Sequence, residues 1–413
     1  MNISIKKIIS WAVFVYFLVA PLTYHPDTKL TLYYPSLKNG KVWNVYRYMA
    51  ENQSNMPDFH YPPLNYLLLK IEWPLARLVG GSGLEAWLVS GSMEAPTNPQ
   101  IFRYNLAVKT PLLLMTLSAG YLIYLIVKKW GGKEKEATRA SIWWLFNPLT
   151  LYSVVIMGQN DILAILPFLL GLYFLIDKWW LAVFFFGFSI SIKAYPLIWA
   201  ILIALWWPTK DKKKKLLMLL IPPLFYFLTL VPFLRADYFR QAVLSSGLMD
   251  RIFVTSLSIG FGESLLVVPL LLVFWAWKNM NWGEEKKKDL KKLVHILWLG
   301  SLIVLAFSHF HPQWFLWLMP FASIYLSLIN KKKRVRFLFA NLVLWLAWLG
   351  IVLLFKDKFL YWGIWSPTNP YLLKLPLLSS FLMAKNIDVV RLTNLCHTIM
   401  AGVSVYFLVR KSD

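Results

Sequence analysis

Long apolar runs, closed off by clusters of lysine, recur along the whole chain. A run of roughly 20 apolar residues is what an α-helix needs to cross the hydrocarbon of a bilayer. Of the 413 residues, 58% are hydrophobic and only 15% charged, too apolar a balance for one soluble core of this size. The 22 Trp and 20 Tyr suit aromatic belts at the two membrane interfaces. The expected fold class is therefore all-α, a polytopic transmembrane helix bundle. About twelve spans are read, at 8–23, 104–127, 141–157, 161–176, 179–192, 194–207, 216–234, 259–277, 293–308, 315–329, 336–355 and 389–408.

The net charge of +23 first suggests nucleic acid, but its placement argues otherwise. The loops 128–140, 177–178, 208–215, 278–292 and 330–335, both tails and Arg336 hold 26 of the 43 Lys and Arg. The alternate short loops 158–160 and 309–314 hold none, and the 192–194 turn holds only Lys193. That asymmetry is the positive-inside pattern. It places both termini in the cytoplasm of a multi-pass protein, and the lysine-rich loops with a single cysteine suit a prokaryotic plasma membrane. Nucleic acid is not an expected partner; membrane lipids are. Cys396, alone, excludes an internal disulfide. The run after Lys6 and Lys7 ends at Pro21, Tyr24 and His25 without a small-residue cleavage site, so it reads as a retained first helix rather than a signal peptide. No internal repeat and no soluble domain is visible, so residues 1–413 read as one transmembrane domain.

Three long segments fall on the non-cytoplasmic side: 24–103, 235–258 and 356–388. The first is too long for a passive connector. Its stretches Tyr34–Met49 and Leu64–Val79, the latter with Lys70, Glu72 and Arg77, read as amphipathic helices lying on the bilayer.

The chemistry-bearing residues gather on this outer side. Gly158-Gln159-Asn160-Asp161 joins two spans by a tight turn, where Asp161 either caps the next helix or contacts substrate. Lys193, in Ser191-Ile192-Lys193-Ala194-Tyr195-Pro196, is an ammonium between two apolar spans with no acidic neighbour in its own turn. It suits a phosphate, or else snorkels to the interface. His309 and His311, in Ser308-His309-Phe310-His311-Pro312-Gln313-Trp314, suit hydrogen bonds to a phosphate or sugar. The i, i+2 spacing alone is weak support for a metal, and no third ligand is adjacent. In the first outer segment, Tyr24-His25-Pro26-Asp27 follows the first span. Asp58 opens Asp58-Phe59-His60-Tyr61-Pro62-Pro63-Leu64. Asp27 and Asp58 are candidate general bases toward an acceptor hydroxyl, although Asp58 also reads as the cap of the helix entered through Pro62 and Pro63.

These motifs, in this order, resemble those of the GT-C superfamily of membrane glycosyltransferases, most closely the mannosyltransferase-like branch that uses polyprenyl-phosphate sugars. The resemblance rests on Asp27 with Tyr33-Tyr34, on Asp58 to Leu64, on Gly158-Gln159-x-Asp161 and on Lys193-x-Tyr195-Pro196. The loop from His309 to Trp314 matches the late His/Gln-aromatic loop. The resemblance implies a GT-C-like helix bundle that transfers a hexose from a polyprenyl-phosphate donor to a lipid or glycan acceptor, with inversion, without metal or other cofactor. It implies Asp27 as the catalytic base. The interval from Asp27 to the two tyrosines is longer than usual for the family, which keeps Asp58 as a rival. Lys193, His309 and His311 would meet the donor phosphate. Gln159, Asn160, Asp161, Tyr61 and Gln313 would meet the sugar or acceptor. The resemblance extends to about residue 330; separately from it, the outer segment 356–388, with Lys356, Lys358 and Trp365, is expected to help shape the acceptor site.

The alternative class is a transporter or lipid flippase, which twelve spans would also serve. A transporter places ionisable residues near the midplane and often shows repeated halves, whereas the span interiors here read as nearly free of charge. A polymer ligase or acyl transferase on the same fold is a third possibility.

Overall fold

The computed structural model describes residues 4–52, 59–245, 247–281 and 288–410. Helices α1 (Ile5–Val19), α2 (Pro26–Gly40), α3 (Val45–Glu51), α4 (Pro63–Gly80) and α5 (Leu84–Val89) lead to the long α6 (Ile101–Lys129). Then come α7 (Glu134–Leu145), α8 (Pro148–Thr150), α9 (Ile162–Phe174), α10 (Trp179–Ile192), α11 (Pro196–Trp206), α12 (Lys212–Leu230), α13 (Asp237–Phe239) and α14 (Gly247–Val254). A hairpin of β1 (Ser256–Gly260) and β2 (Glu263–Leu266) precedes α15 (Val267–Asn279) and α16 (Leu290–Phe307). The chain closes with α17 (Met319–Leu328), α18 (Lys331–Leu354), α19 (Leu378–Ala384) and α20 (Val389–Val409).

Among the described residues, six helical stretches are long and apolar enough to cross a membrane: Ile5–Leu22, Ile101–Lys129, Lys212–Phe233, Leu290–Phe307, Lys331–Leu354 and Val389–Val409. Helices α9, α10, α11 and α15 are apolar but run only 10–17 residues. At about 1.5 Å per residue they fall short of a hydrocarbon core about 30 Å thick.

Three of the expected spans are broken. The 141–157 stretch stops at Phe146 because Pro148 lacks a helical N–H. Asn147 then caps a new start by accepting the Leu149 N–H, and Leu151–Ile156 continues with π-helical bonding. Residues 315–329 begin inside the 3-10 turn Pro312–Leu318. Residues 259–266, expected to open a span, form the exposed antiparallel hairpin instead, so α15 starts only at Val267. Its tip, Gly260-Phe261-Gly262, has positive φ throughout, a conformation that a helix excludes and two glycines permit. The amphipathic stretch Leu64–Val79 is α4. Tyr34–Met49 is not one helix, because Leu37–Asn39 leave helical geometry and Lys38 and Asn39 adopt positive φ.

One continuous core of buried Leu, Ile, Val, Phe and Trp joins most of the helices. Small residues let them approach closely, as membrane helices require. A Cβ on Gly120 of α6 would lie 2.5 Å from Leu145 of α7, and one on Gly171 of α9 would lie 2.4 Å from Phe186 of α10.

The connections sort into two ends. At one end the lysine-rich loops meet each other. Lys129 pairs with Asp177 at 2.9 Å, Lys288 reaches the Ile176 carbonyl at 3.1 Å, the Asn281 N–H donates to Leu205 at 3.1 Å, and Lys278 reaches Arg410 O at 3.3 Å. At the other end lie the start of α2, the 158–161 turn, the Lys193 turn and the loop after α16.

Candidate functional site

The polar end is assembled around a buried lysine. Lys109 lies inside α6 with no exposed surface, and its Nζ is 3.0 Å from Ala20 O, 2.8 Å from Thr23 O and Thr23 Oγ1, and 2.7 Å from Ile156 O. The expectation of nearly charge-free span interiors fails here, because oxygen acceptors on two neighbouring segments offset the desolvation of the amine. Thr23 and Thr28 add hydrogen bonds to Ile156 O (3.0 Å) and Met157 O (2.6 Å). The peptide after α1 is thereby stapled to the end of the π-helical segment. Gly158 follows at φ +69°, where a Cβ would sit 2.8 Å from Thr28 Oγ1 and 3.2 Å from Lys109 Cε. Only glycine suits both that backbone and that contact.

The staple brings Asp27 to Gln159. Pro26 takes the first position of α2, where its missing N–H costs nothing. The His25 ring Nδ1 accepts the Asp27 N–H at 3.2 Å. The Asp27 carboxylate, 46% exposed, accepts a hydrogen bond from Gln159 Nε2 at 3.1 Å and lies 3.7 Å from His25 Nδ1. With Nδ1 accepting, the His25 proton belongs on Nε2, which faces Asp357 Oδ2 at 3.6 Å. Burial pushes the Asp357 carboxyl up, but the neighbouring His25 ring and the Phe359 N–H bring it below its ordinary value.

Asp161 meets different surroundings. It stands at the N-cap of α9 but caps nothing with its side chain. Its carboxylate, 1% exposed, is 3.1 Å from Lys193 Nζ and accepts the Trp317 indole N–H at 2.9 Å. Lys193 therefore has the acidic partner that its own turn lacks; the partner comes from another turn, brought close by α9 and α10 packing together. Lys193 also lies 5.1 Å from the centre of the Tyr61 ring. Burial raises the Tyr61 phenol above its ordinary range, and the charges of Asp27 and Asp161 raise it further.

The imidazoles complete the end. The rings of His309 and His311 are 6.4 Å apart and pack on Phe355 at 6.1 and 6.3 Å. Burial, and then the nearby Arg251 charge, lower both. His311 falls to about 4, against the opposing pull of Asp27 and Asp161. Both are thus neutral near pH 7. Gln313 is buried, and its carbonyl accepts the Ser153 hydroxyl at 3.4 Å.

Of the residues singled out in the sequence, Asp27, Tyr61, Gln159, Asn160, Asp161, Lys193, His309, His311 and Gln313 lie at this end. Asp58 lies outside the described residues, and the N-cap of α4 is Pro62, without a side-chain cap. Tyr34 packs edge-on against Phe59 at 4.8 Å, and Tyr33 against Tyr34 at 5.2 Å, beside an aromatic core that holds Tyr46 and Phe239 and borders Tyr61. Lys356 is exposed, and Lys358 ties down its own segment through the Leu373 carbonyl at 2.7 Å. Trp365 is 39% exposed.

Sequence reasoning missed Lys109, His25, Asp357, Trp317 and Arg251. Arg251 had a signal, being a cation in an outer segment of mostly apolar residues; the others become legible only in three dimensions. Among the described residues, no three His, Cys, Asp or Glu side chains form a metal-ligand group. An open cavity of about 870 Å³ lies between Asn39–Trp43 and the Leu67, Ile71 and Leu78 face of α4. No family model, curated protein or solved structure matches the chain.

Proposed function

We propose that the chain is a GT-C-like membrane glycosyltransferase, which moves a mannose-like hexose from a polyprenyl-phosphate donor to a lipid or glycan acceptor at the non-cytoplasmic face. One observation carries this reading. Asp27 with Gln159, Asp161 with Lys193, Tyr61 and the two imidazoles come from five separate stretches of chain and meet at the end of the bundle opposite the lysine loops. In this reading the chain crosses the plasma membrane about twelve times, with both termini cytoplasmic and the shorter apolar helices completing the crossings.

A lipid-linked sugar keeps its tail in the bilayer and its head at the interface, where such a cluster belongs. Asp27 is the carboxylate suited to act as base: it is half-exposed, oriented by the Gln159 amide and, among the described residues, without an ammonium partner. It takes the proton of the acceptor hydroxyl as that oxygen attacks the anomeric carbon. The bond from that carbon to the phosphate oxygen breaks on the opposite face, so configuration inverts and the lipid phosphate leaves with the electron pair. Asp161 is neutralised by Lys193, which suits positioning rather than proton transfer. His309 and His311, held neutral, suit donating hydrogen bonds to the departing phosphate. A monophosphate leaving group met by such donors asks for no metal. A transporter would use Lys109 as a relay, but its hold by four fixed oxygens describes a staple.

The test is transfer by the purified protein from a polyprenyl-phosphate sugar to a panel of lipid and glycan acceptors. Asp27→Asn should lower the rate by about 10²–10⁴-fold, the range for loss of a general base. Transfer by the Asn variant at the wild-type rate would remove Asp27 from the mechanism. No transfer by wild type to any acceptor would remove the reading.

A further inference from the structure

The two cations nearest the carboxylates are already committed. Lys193 is neutralised by Asp161 at 3.1 Å, and Lys109 is enclosed by carbonyl and hydroxyl oxygens. Arg251, on α14, makes no ion pair among the described residues, and its Nη1 is buried without a hydrogen-bond partner. The side chain as a whole is only partly buried, but an N–H shut off from water and left unmet is unfavourable. Such a group calls for a partner that the folded chain does not itself supply.

Its position indicates what that partner is. Tyr195 stacks on Trp317 at 3.8 Å, Trp317 stacks on Trp314 at 4.9 Å, and the Arg251 guanidinium covers Trp314 at 5.4 Å. This column runs outward from the Asp161–Lys193 pair and ends in a planar cation beside His309 and His311, whose titration its charge depresses. A guanidinium fork with two neutral imidazoles is a donor set for phosphate oxygens. The surroundings are apolar and uncovered: Phe253 and Val254 follow on the same helix, and the hairpin exposes Leu257, Ile259 and Phe261. An anion bound here can carry a long hydrocarbon tail without steric cost.

We infer that Arg251, working with the imidazoles of His309 and His311, binds the phosphate of the lipid-linked substrate. This rests on the glycosyltransferase reading and moves the role of phosphate cation from Lys193 to Arg251. The donor phosphodiester carries one negative charge. The lipid phosphate released when the anomeric carbon–oxygen bond breaks gains a second, so the guanidinium stabilises the departing group more than the bound donor.

The experiment measures binding of farnesyl phosphate, farnesol and inorganic phosphate to the full chain in nanodiscs, alongside sugar transfer. Wild type should prefer farnesyl phosphate to farnesol. Arg251→Met should weaken farnesyl phosphate by about tenfold or more and leave farnesol unchanged, as loss of a charge-assisted pair predicts. Arg251→Lys, which keeps the charge but not the fork, should recover part of the loss and guards against a folding defect in the Met variant. Competition by inorganic phosphate should be strong in wild type and lost in Arg251→Met. Equal farnesyl phosphate affinity in all three proteins overturns the inference, as does wild-type binding that ignores the phosphate. Transfer that proceeds without dependence on Arg251 overturns the inference and leaves the transferase standing. Arg251-dependent phosphate binding with no transfer to any acceptor does the reverse.

Discussion

Asp27 and Asp161 stand on either side of Gln159, yet the fold treats them in opposite ways. Asp161 is 1% exposed, paired with Lys193 and bonded to the Trp317 indole. Asp27 is 46% exposed and has one amide donor, with His25 beside it. The first carboxylate has its charge balanced inside the protein and serves architecture. The second keeps a free face and a charge that a substrate proton can answer. The same contrast separates Lys193, balanced, from Arg251, unbalanced. At this end of the molecule, what is left uncompensated marks where chemistry is available.

The contrast breaks most visibly if the balanced pair is opened. Lys193→Met strands a carboxylate that is 1% exposed, and breaking a buried pair costs about 3–5 kcal/mol. Thermal unfolding in detergent should show that loss, and Asp161→Asn in the same chain should restore much of it. A Lys193→Met protein as stable as wild type would mean that the pair is not structural. The staple comes next. Gly158→Ala places an L side chain at φ +69°, against Thr28 Oγ1, and should lower stability by about 1–3 kcal/mol. It should also reduce transfer by loosening the contact between Asp27 and Gln159; full activity in a destabilised variant would uncouple the two.

A smaller effect comes from pH. The folded His311 titrates at about 4, well under its ordinary 6.5, so between those values the unfolded chain binds the additional proton. Stability from this group is complete above about pH 6.5 and drains away as pH falls toward 4. Melting curves of wild type and His311→Gln should diverge above pH 6.5 and converge on acidification; parallel curves would show that burial of this ring is not linked to protonation. The smallest effect belongs to the hairpin. Phe261 is fully exposed at the tip, so Phe261→Ser should move unfolding by less than about 0.5 kcal/mol. A larger loss would mean that the tip packs on something in the folded protein.

Much of the helical layout was legible because it is written locally. The apolar runs and the lysine clusters mark the helices and their two ends, and α4 was readable from its own amphipathic pattern. The failures are where local pattern competes with backbone geometry. Pro148 divides one expected span, and the Gly260-Phe261-Gly262 turn draws residues 259–266 into a hairpin where hydropathy alone reads a helix.

The sequence by itself determined a helical, membrane-type chain and named most of the polar residues that meet at one end. Only the tertiary structure decided which of them are neutralised. Asp161 and Lys193 belong to different turns, and Lys109 finds its acceptors on two other segments. The energy of a charge depends on what lies within a few ångströms of it and on how much water remains there. Neither quantity is a property of a residue or its neighbours in the chain, so the roles proposed for Asp27 and Arg251 emerge only once the helices have packed.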